Sequence, residues 1–168
     1  KETLDAAKKY KIKHIKDQKK GKPTALNLAF KKAKGEILIL TDGDVYISEN
    51  AIKEIIKPFQ DKKVGAVSSR PIPLNTKKTM LGYFSHLLTD VGAHQTRLKL
   101  NKKNKYLICS GYLMAIRKII RQIPENSLAD DAVISNLIYL KGYKTKYTPE
   151  AKVFVKYPTT LKGKKFGE

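Results

Sequence analysis

The chain has a single cysteine, Cys109, no tryptophan, two methionines and only 15 acidic residues against 35 lysines and arginines. One cysteine excludes an internal disulfide framework and any cysteine-based zinc cluster. It fits a reducing compartment. No apolar run approaches the roughly 18 residues that a membrane-spanning helix needs, and the opening residues lack the pattern of a signal peptide. This stretch of polypeptide is therefore expected to be soluble. Arginine is scarce among the basic residues, which argues against specific base readout by bidentate guanidinium forks. His14, His86 and His94 form no nucleophile or zinc pattern.

What is present is charge and one domain's worth of core. The 168 residues and 19.0 kDa suit a single domain spanning residues 1–168, with 41% apolar and 30% charged residues. The formal net charge of +20 is carried mostly by lysines, with pairs at Lys19-Lys20, Lys31-Lys32, Lys62-Lys63, Lys77-Lys78, Lys102-Lys103 and Lys164-Lys165. Solvated helix faces account for such a surface, and so does attraction to anionic lipid, nucleic acid or a polyphosphate-bearing substrate. The chain starts at Lys1 without methionine, inside what reads as an amphipathic helix over 2–10, so it reads as a piece of a longer protein.

A short strand is expected over Tyr10 to Lys16 and a charged turn over Asp17 to Gly21. Pro23 suits a first helical position, and Ala25, Leu26, Ala29, Phe30 and Ala33 form an apolar stripe that Gly35 should end. Ile37 to Leu40 then run straight into Thr41-Asp42-Gly43-Asp44. A continuous apolar run ending in a polar turn predicts a strand buried on both faces of a parallel sheet. Ser48 is the expected N-cap of the next helix, with Ile52, Ile55, Ile56 and Phe59 inward. Lys63 to Ser69 reads as a buried strand and Arg70-Pro-Ile-Pro as loop. Thr76 to Leu100 reads as a long helical stretch weakened by Gly82 and Gly92. Tyr106–Ile108 and Tyr112–Ile116 read as paired strands around Cys109-Ser110-Gly111. Leu128 to Leu140 is helical, capped by Gly142, and Lys144–Thr148 and Lys152–Tyr157 are expected as final short strands.

Asp42 and Asp44 are the strongest chemical signal. Ligands of open α/β sheets bind beyond the carboxyl ends of the strands. Two carboxylates there can share a hard divalent cation and leave positions for substrate phosphates. A surface turn with a capping aspartate is the other reading. Asp130-Asp131 opens a predicted helix; first-turn acids complement the helix dipole, while adjacent carboxylates also suit a general base. Gly21-Lys22-Pro23-Thr24 lacks Walker A spacing, although a lysine at a helix start favours a nearby anion. Cys109 follows apolar Leu107-Ile108 and reads as a small buried residue rather than a nucleophile.

Taken in order, GKPTALNLAFKKAKGEILILTDGDVYIS, VGAVSSRP, ICSGYLMAIRK and LADDAVISNLIYLKGYKTKY resemble the family-two glycosyltransferases of GT-A fold. The resemblance is strongest to the processive, membrane-associated branch that includes cellulose, chitin and hyaluronan synthases. It covers roughly residues 8 to 157. It implies an α/β, Rossmann-like mixed but mostly parallel sheet flanked by helices, truncated at its N-terminus. It also implies metal-dependent, inverting transfer of a sugar from a nucleotide-sugar, a UDP- or GDP-sugar, to a saccharide or lipid-linked acceptor. On that resemblance Asp42 and Asp44 hold Mg²⁺ or Mn²⁺ and, through it, the donor diphosphate. Asp131 is the general base and Asp130 orients it. Gly21, Lys22 and Asn27 match the segment near the nucleotide, and Ser110 and Gly111 match the stretch lining the donor-sugar and acceptor side, with Arg117 a secondary candidate. The family's first strands, which grip base and ribose, and its Gln-x-x-Arg-Trp helix have no counterpart here. The parent is expected at the cytoplasmic face of a membrane.

Two other classes fit part of the pattern. Haloacid-dehalogenase-type phosphatases also place Asp-x-Asp after an apolar strand, but usually carry Thr or Val where Tyr46 stands, and they leave the Gly-Lys-x-x-Ala-Leu-Asn segment unexplained. A basic nucleic-acid-binding domain suits the charge, yet no binding motif or interleaved aromatic platform supports it, so no specific nucleic acid is expected as a partner.

Overall fold

The computed structural model describes residues 5, 7–10, 12–16 and 20–160. Residues 1–4 and part of the expected first helix lie outside the described residues, as do Lys11 and residues 17–19; Asp5, Ala7 and Lys8 are helical. The elements that follow are α1 (Lys22–Lys32), β1 (Ile37–Thr41), β2 (Val45–Ile47), α2 (Ala51–Ile56) with a 3-10 turn (Lys57–Gln60), and β3 (Val64–Pro73). Then come α3 (Met80–His86), a π-helical segment (Leu87–Gln95), α4 (Thr96–Lys102), β4 (Leu113–Arg117), α5 (Asp130–Leu140) and β5 (Lys144–Val155).

One five-stranded sheet runs in the order β1-β4-β3-β5-β2. It is mixed and flanked by helices, as expected. The expected majority of parallel pairings is not found among the described residues, where only β3 and β5 pair in parallel and β1–β4, β3–β4 and β2–β5 are antiparallel. β1 is also an edge strand here: Leu38 is buried, while Ile37, Ile39 and Leu40 are half-buried. Full burial on both faces instead belongs to β4 and the first half of β3, which have partners on each side.

Alternation along these strands divides the core in two. Met114 and Ile116 of β4 face Phe30 of α1 and Ile134 and Ile138 of α5. Leu113 and Ala115 face Ala51, Ile55 and Phe59. Those last three are spaced by four, so α2 turns Ala51 and Ile55 inward and leaves the expected core residues Ile52 and Ile56 exposed. Its cap is Asn50, not Ser48. Ser48 is still tied to β5 through its N–H on the Lys152 carbonyl, so the helix cannot begin there.

Other boundaries move for similar reasons. α1 ends at Ala33, extended at ψ 138°, ahead of Gly35. Residues 12–16 form no strand, because none among the described residues pairs with them, and Ile12 and Ile15 are exposed. Tyr106–Ile108 is likewise not a strand; β4 pairs with β1 and β3 instead. β5 is one continuous strand where two were expected. β3 runs on through Arg70-Pro-Ile-Pro. The Leu74 N–H donates to the Val155 carbonyl, so Arg70 and Ile72 share that edge, and Pro71 and Pro73 turn their missing N–H groups away from β5. Gly142, at φ 82°, closes α5 as expected, with its N–H on the Tyr139 carbonyl.

The Asp42–Asp44 turn imposes the shape of the sheet. Five flat strands would place β1 and β2 roughly 19 Å apart. Four residue steps, from Thr41 to Val45, reach only about 14 Å. The sheet therefore curls, and β3 and β5 carry register shifts at Val64/Ala66 and Ser68/Arg70 where extra twist enters. At the first shift α5 packs directly on the strand: a Cβ on Gly65 would stand 2.5 Å from Ile138 Cγ2 and 2.6 Å from Tyr143 Cβ. Gly65→Ala is predicted to lower stability by about 1–3 kcal/mol, measured by denaturant unfolding. Wild-type stability in that variant would show that α5 does not pack on β3 as described.

Candidate active site at the carboxyl end of β1

Three segments converge beyond Thr41. Pro23, pre-set for a first helical turn, starts α1 and places Lys22 at its end. β1 delivers Asp42, whose N–H points to the Tyr112 carbonyl, which Thr41 Oγ1 also reaches at 2.9 Å. α5 begins with Asp130 and Asp131 in its first turn. The Lys22 ammonium bridges two of these segments' carboxylates, at 2.7 Å from Asp42 Oδ1 and 3.3 Å from Asp130 Oδ2.

Partial burial works to lower the Lys22 pKa, but the Asp42 hydrogen bond and the charges of Asp42 and Asp130 outweigh it, so the net shift is upward. A raised lysine contributes fully below its ordinary value of 10.5 and loses that contribution as pH rises through the higher folded value. Because the side chain is half exposed, the contribution is about 1 kcal/mol at most. Lys22→Met is predicted to cost up to that amount at pH 7, and the difference from wild type should shrink above pH 10.5. Denaturant melts across that range check it; a constant difference would mean that the ion pairs are not its source.

Asp131 is held differently. Its Oδ2 accepts the Gly111 N–H at 2.9 Å and its Oδ1 accepts the Ala132 N–H at 2.8 Å. The Gly111 contact belongs to a run of three. The Cys109 N–H goes to Ser135 Oγ and the Ser110 N–H to Ser68 Oγ, both at 3.0 Å. Ser135 Oγ in turn donates to the Asp131 carbonyl. Three consecutive backbone donors therefore find acceptors on β3 and α5, satisfying groups that burial would otherwise penalise. Gly111 has little spare room: a Cβ would meet Asp131 Oδ2 at 3.2 Å. Ser68 and Ser135 were not singled out in the sequence, although a serine amid the apolar face of α5, one turn after Asp131, was the available signal.

The structure therefore brings Lys22, Asp42, Asp130, Asp131 and Gly111 together, with Ser110 buried beside them. A cleft of about 210 Å³ is lined by Lys22, Thr41, Gly111, Met114 and Asp130, among others. Gly21 precedes α1 with φ 98°, a conformation suited to glycine. Asp44 lies across Gly43, exposed, at the start of β2. The described residues contain no cluster of three His, Cys, Asp or Glu side chains placed to hold a metal. The donor set nevertheless suits a hard cation, since two carboxylate oxygens already converge on one ammonium.

Asn27 and Arg117 sit elsewhere. The Asn27 amide is engaged at both ends by the Ile123 backbone, at 2.8 and 2.9 Å, and so pins that segment to α1. It faces a larger cleft of about 640 Å³ on the opposite side of α1, where no carboxylate lines the wall. Ammonium and carboxylate, Lys22 and Asp130, instead line the smaller cleft. Arg117 lies at the far end of β4, paired with Ile37 and away from Asp42, donating to the Val64 and Phe59 carbonyls and stacked 5.5 Å over the Phe59 ring. His86 bonds the Asn75 carbonyl and His94 the Tyr147 hydroxyl. Burial pushes the Cys109 thiol up to about 12, so at pH 8 the folded chain is predicted to resist thiol reagents that modify it once unfolded. Rapid labelling of the native chain would contradict that burial.

The fold and the site define a GT-A glycosyltransferase architecture. The profile of glycosyl transferase family 2 matches residues 1–123, and the chain belongs to that family. It is 25% identical over 173 residues to poly-beta-1,6-N-acetyl-D-glucosamine synthase of Staphylococcus aureus, covering 92% of this chain and 40% of that protein. It is 26% identical to the hyaluronan synthase of Streptococcus pyogenes, over 85% of this chain and 37% of that one. The chain thus spans about two fifths of these relatives' length. Among solved structures, the mannosyltransferase PcManGT of Pyrobaculum calidifontis, in complex with GDP-Man and Mn²⁺, superposes with a TM-score of 0.63 and 25% identity, over 84% of this chain and 38% of that one. GalNAc-T7, with UDP, GalNAc and Mn²⁺, shares the fold at a TM-score of 0.64 and 22% identity, over 100% of this chain and 36% of that chain. Family membership sets aside the phosphatase reading of the Asp-x-Asp strand.

Proposed function

We propose that this chain is the catalytic segment of an inverting, metal-dependent transferase. It would move a sugar from a UDP- or GDP-sugar to a saccharide or lipid-linked acceptor, at the cytoplasmic face of a membrane. The observation that carries the reading is the meeting of Asp42 and Asp130 on Lys22 at the carboxyl end of β1, with Asp131 anchored alongside by the Gly111 N–H. Neighbours of the same fold bind nucleotide-sugar or nucleotide with Mn²⁺, which supports a divalent cation without choosing between Mg²⁺ and Mn²⁺. The basic surface suits work beside anionic lipid.

In this reading Asp42 and Asp44 would hold the cation, leaving it open to the donor. When bound, the cation offsets the charge that builds on the departing diphosphate. Lys22 exchanges part of its hold on Asp42 for the diphosphate and keeps an ammonium beside it. Gly21, preceding the helix start, lets phosphate approach that end of α1. Asp131, its carboxylate oriented by the Gly111 N–H, takes the proton of the acceptor hydroxyl as that oxygen bonds to the anomeric carbon and the bond to the diphosphate breaks. Asp130, tied to Lys22, positions the pair. Ser110 and Gly111 border the sugar.

The test is sugar transfer by the full-length parent, with a panel of UDP- and GDP-sugars and Mn²⁺ or Mg²⁺. Asp131→Asn is expected to lower kcat by about 10²–10⁴-fold with KM for the donor little changed. Asp44→Asn is expected to cost several kcal/mol of transition-state stabilisation and to raise the metal requirement. Transfer surviving both substitutions would remove the assignment of base and cation ligand.

A further inference from the structure

The helical run from Met80 to Lys102 is amphipathic in the wrong sense for a solvated surface. Met80, Tyr83, Phe84, Leu87, Leu88 and Val91 are all exposed, Leu88 at 67% and Val91 at 60%. Their spacing, with steps of three and four, is the stripe of a helix that faces an apolar environment. The side turned inward is instead small and polar: Gly82, Ser85 and Thr89 are buried. A Cβ on Gly82 would stand 1.9 Å from the Thr76 carbonyl oxygen. Ser85 Oγ donates to the Gly82 carbonyl at 2.7 Å and Thr89 Oγ1 to the Ser85 carbonyl at 2.9 Å. Those hydroxyls are satisfied within the helix, so its small buried side packs inward without further partners and leaves the apolar face outward, where a contiguous apolar patch marks a partner.

Charge identifies the partner. Exposed Lys77 and Lys78 precede the stripe, and exposed Lys99, Lys102 and Lys103 follow it. Asp90, the only acidic residue between 74 and 105, is drawn to Arg70 at 3.4 Å and to His86 at 3.9 Å. An apolar face with cations at both ends, carrying Tyr83 and Phe84, is the pattern of a helix lying in a membrane interface. A soluble partner would need an apolar groove with acids at both ends. A bilayer containing anionic lipid offers both features along any line. We infer that this face docks on a bilayer bearing anionic phospholipid, the apolar side chains entering the headgroup boundary and the lysines reaching phosphates. The helix rests on the surface, since no described helix is long and apolar enough to cross a membrane. The inference deepens, and rests on, the membrane association proposed above by naming the face that meets the lipid.

The test is co-sedimentation of the chain, at physiological salt, with vesicles of phosphatidylcholine alone or mixed with phosphatidylglycerol. Wild type is expected to bind the mixed vesicles and to bind pure phosphatidylcholine more weakly. Leu88→Ser with Val91→Ser leaves the charge unchanged and should lower partitioning roughly tenfold or more, with thermal unfolding showing that the fold is kept. Lys77→Gln with Lys78→Gln should weaken binding to the mixed vesicles only. If the serine variant partitions like wild type, charge alone drives binding and the face is wrong. If wild type ignores vesicles and instead self-associates in sedimentation velocity while the serine variant stays monomeric, a second copy covers the face and the inference falls. Fractionation of the parent separates the two levels: a parent absent from membranes overturns the broader association, whereas a serine variant equal to wild type overturns only the choice of face. Neither readout depends on sugar transfer.

Discussion

The contact between the Lys22 ammonium and the carboxylates of Asp42 and Asp130 organises this end of the molecule. Asp42 ends an edge strand, Asp130 starts a helix about ninety residues later, and without a cation between them two negative charges would share one cleft. Like charges so placed repel one another, less strongly where solvent screens them. Lysine at the start of α1 relieves that repulsion with a single flexible, half-exposed side chain. A rigid guanidinium fork would hold both carboxylates more firmly. In the proposed site, a cation and diphosphate entering between them would be better served by the partner that can swing away.

The backbone around that contact is arranged to keep it in place. The short Asp-Gly-Asp connection forces a curled sheet, and the curl brings β2 and the far half of β5 back toward the end of β1. On the other side, the N–H groups of Cys109, Ser110 and Gly111 are taken in turn by Ser135, Ser68 and Asp131. Asp131 therefore belongs both to the site and to the scaffold. Its carboxylate orientation is set by the Gly111 N–H, so the proposed base and the proposed sugar wall are tied to each other.

Much of this was legible in the residues. Pro23 opening α1, Asp130-Asp131 opening α5 and Gly142 closing it are local signals, and each fell where the local rule placed it; apolar Ile37–Leu40 did form a strand running into Asp42, but at the sheet edge and only half-buried. What escaped was set by distant partners. The strand through Arg70-Pro-Ile-Pro exists because β5 supplies one edge and the prolines use the other. The helix after Ser48 waits for β5 to release the chain. Asn27 looked like a nucleotide contact through resemblance, yet its amide is spent on Ile123, 96 residues away in sequence. The sense of pairing around β1 also depends on which strands lie beside it, and an apolar run does not encode that.

The central claim is that the carboxylates at the end of β1 form a site for a cation and a nucleoside diphosphate. Electron paramagnetic resonance of Mn²⁺ with the full-length parent tests it most directly, with UDP or GDP present. The account predicts that protein-bound Mn²⁺ appears only with the diphosphate, is lost in Asp42→Asn and is retained in Asp131→Asn. Equal binding by wild type and Asp42→Asn would contradict it.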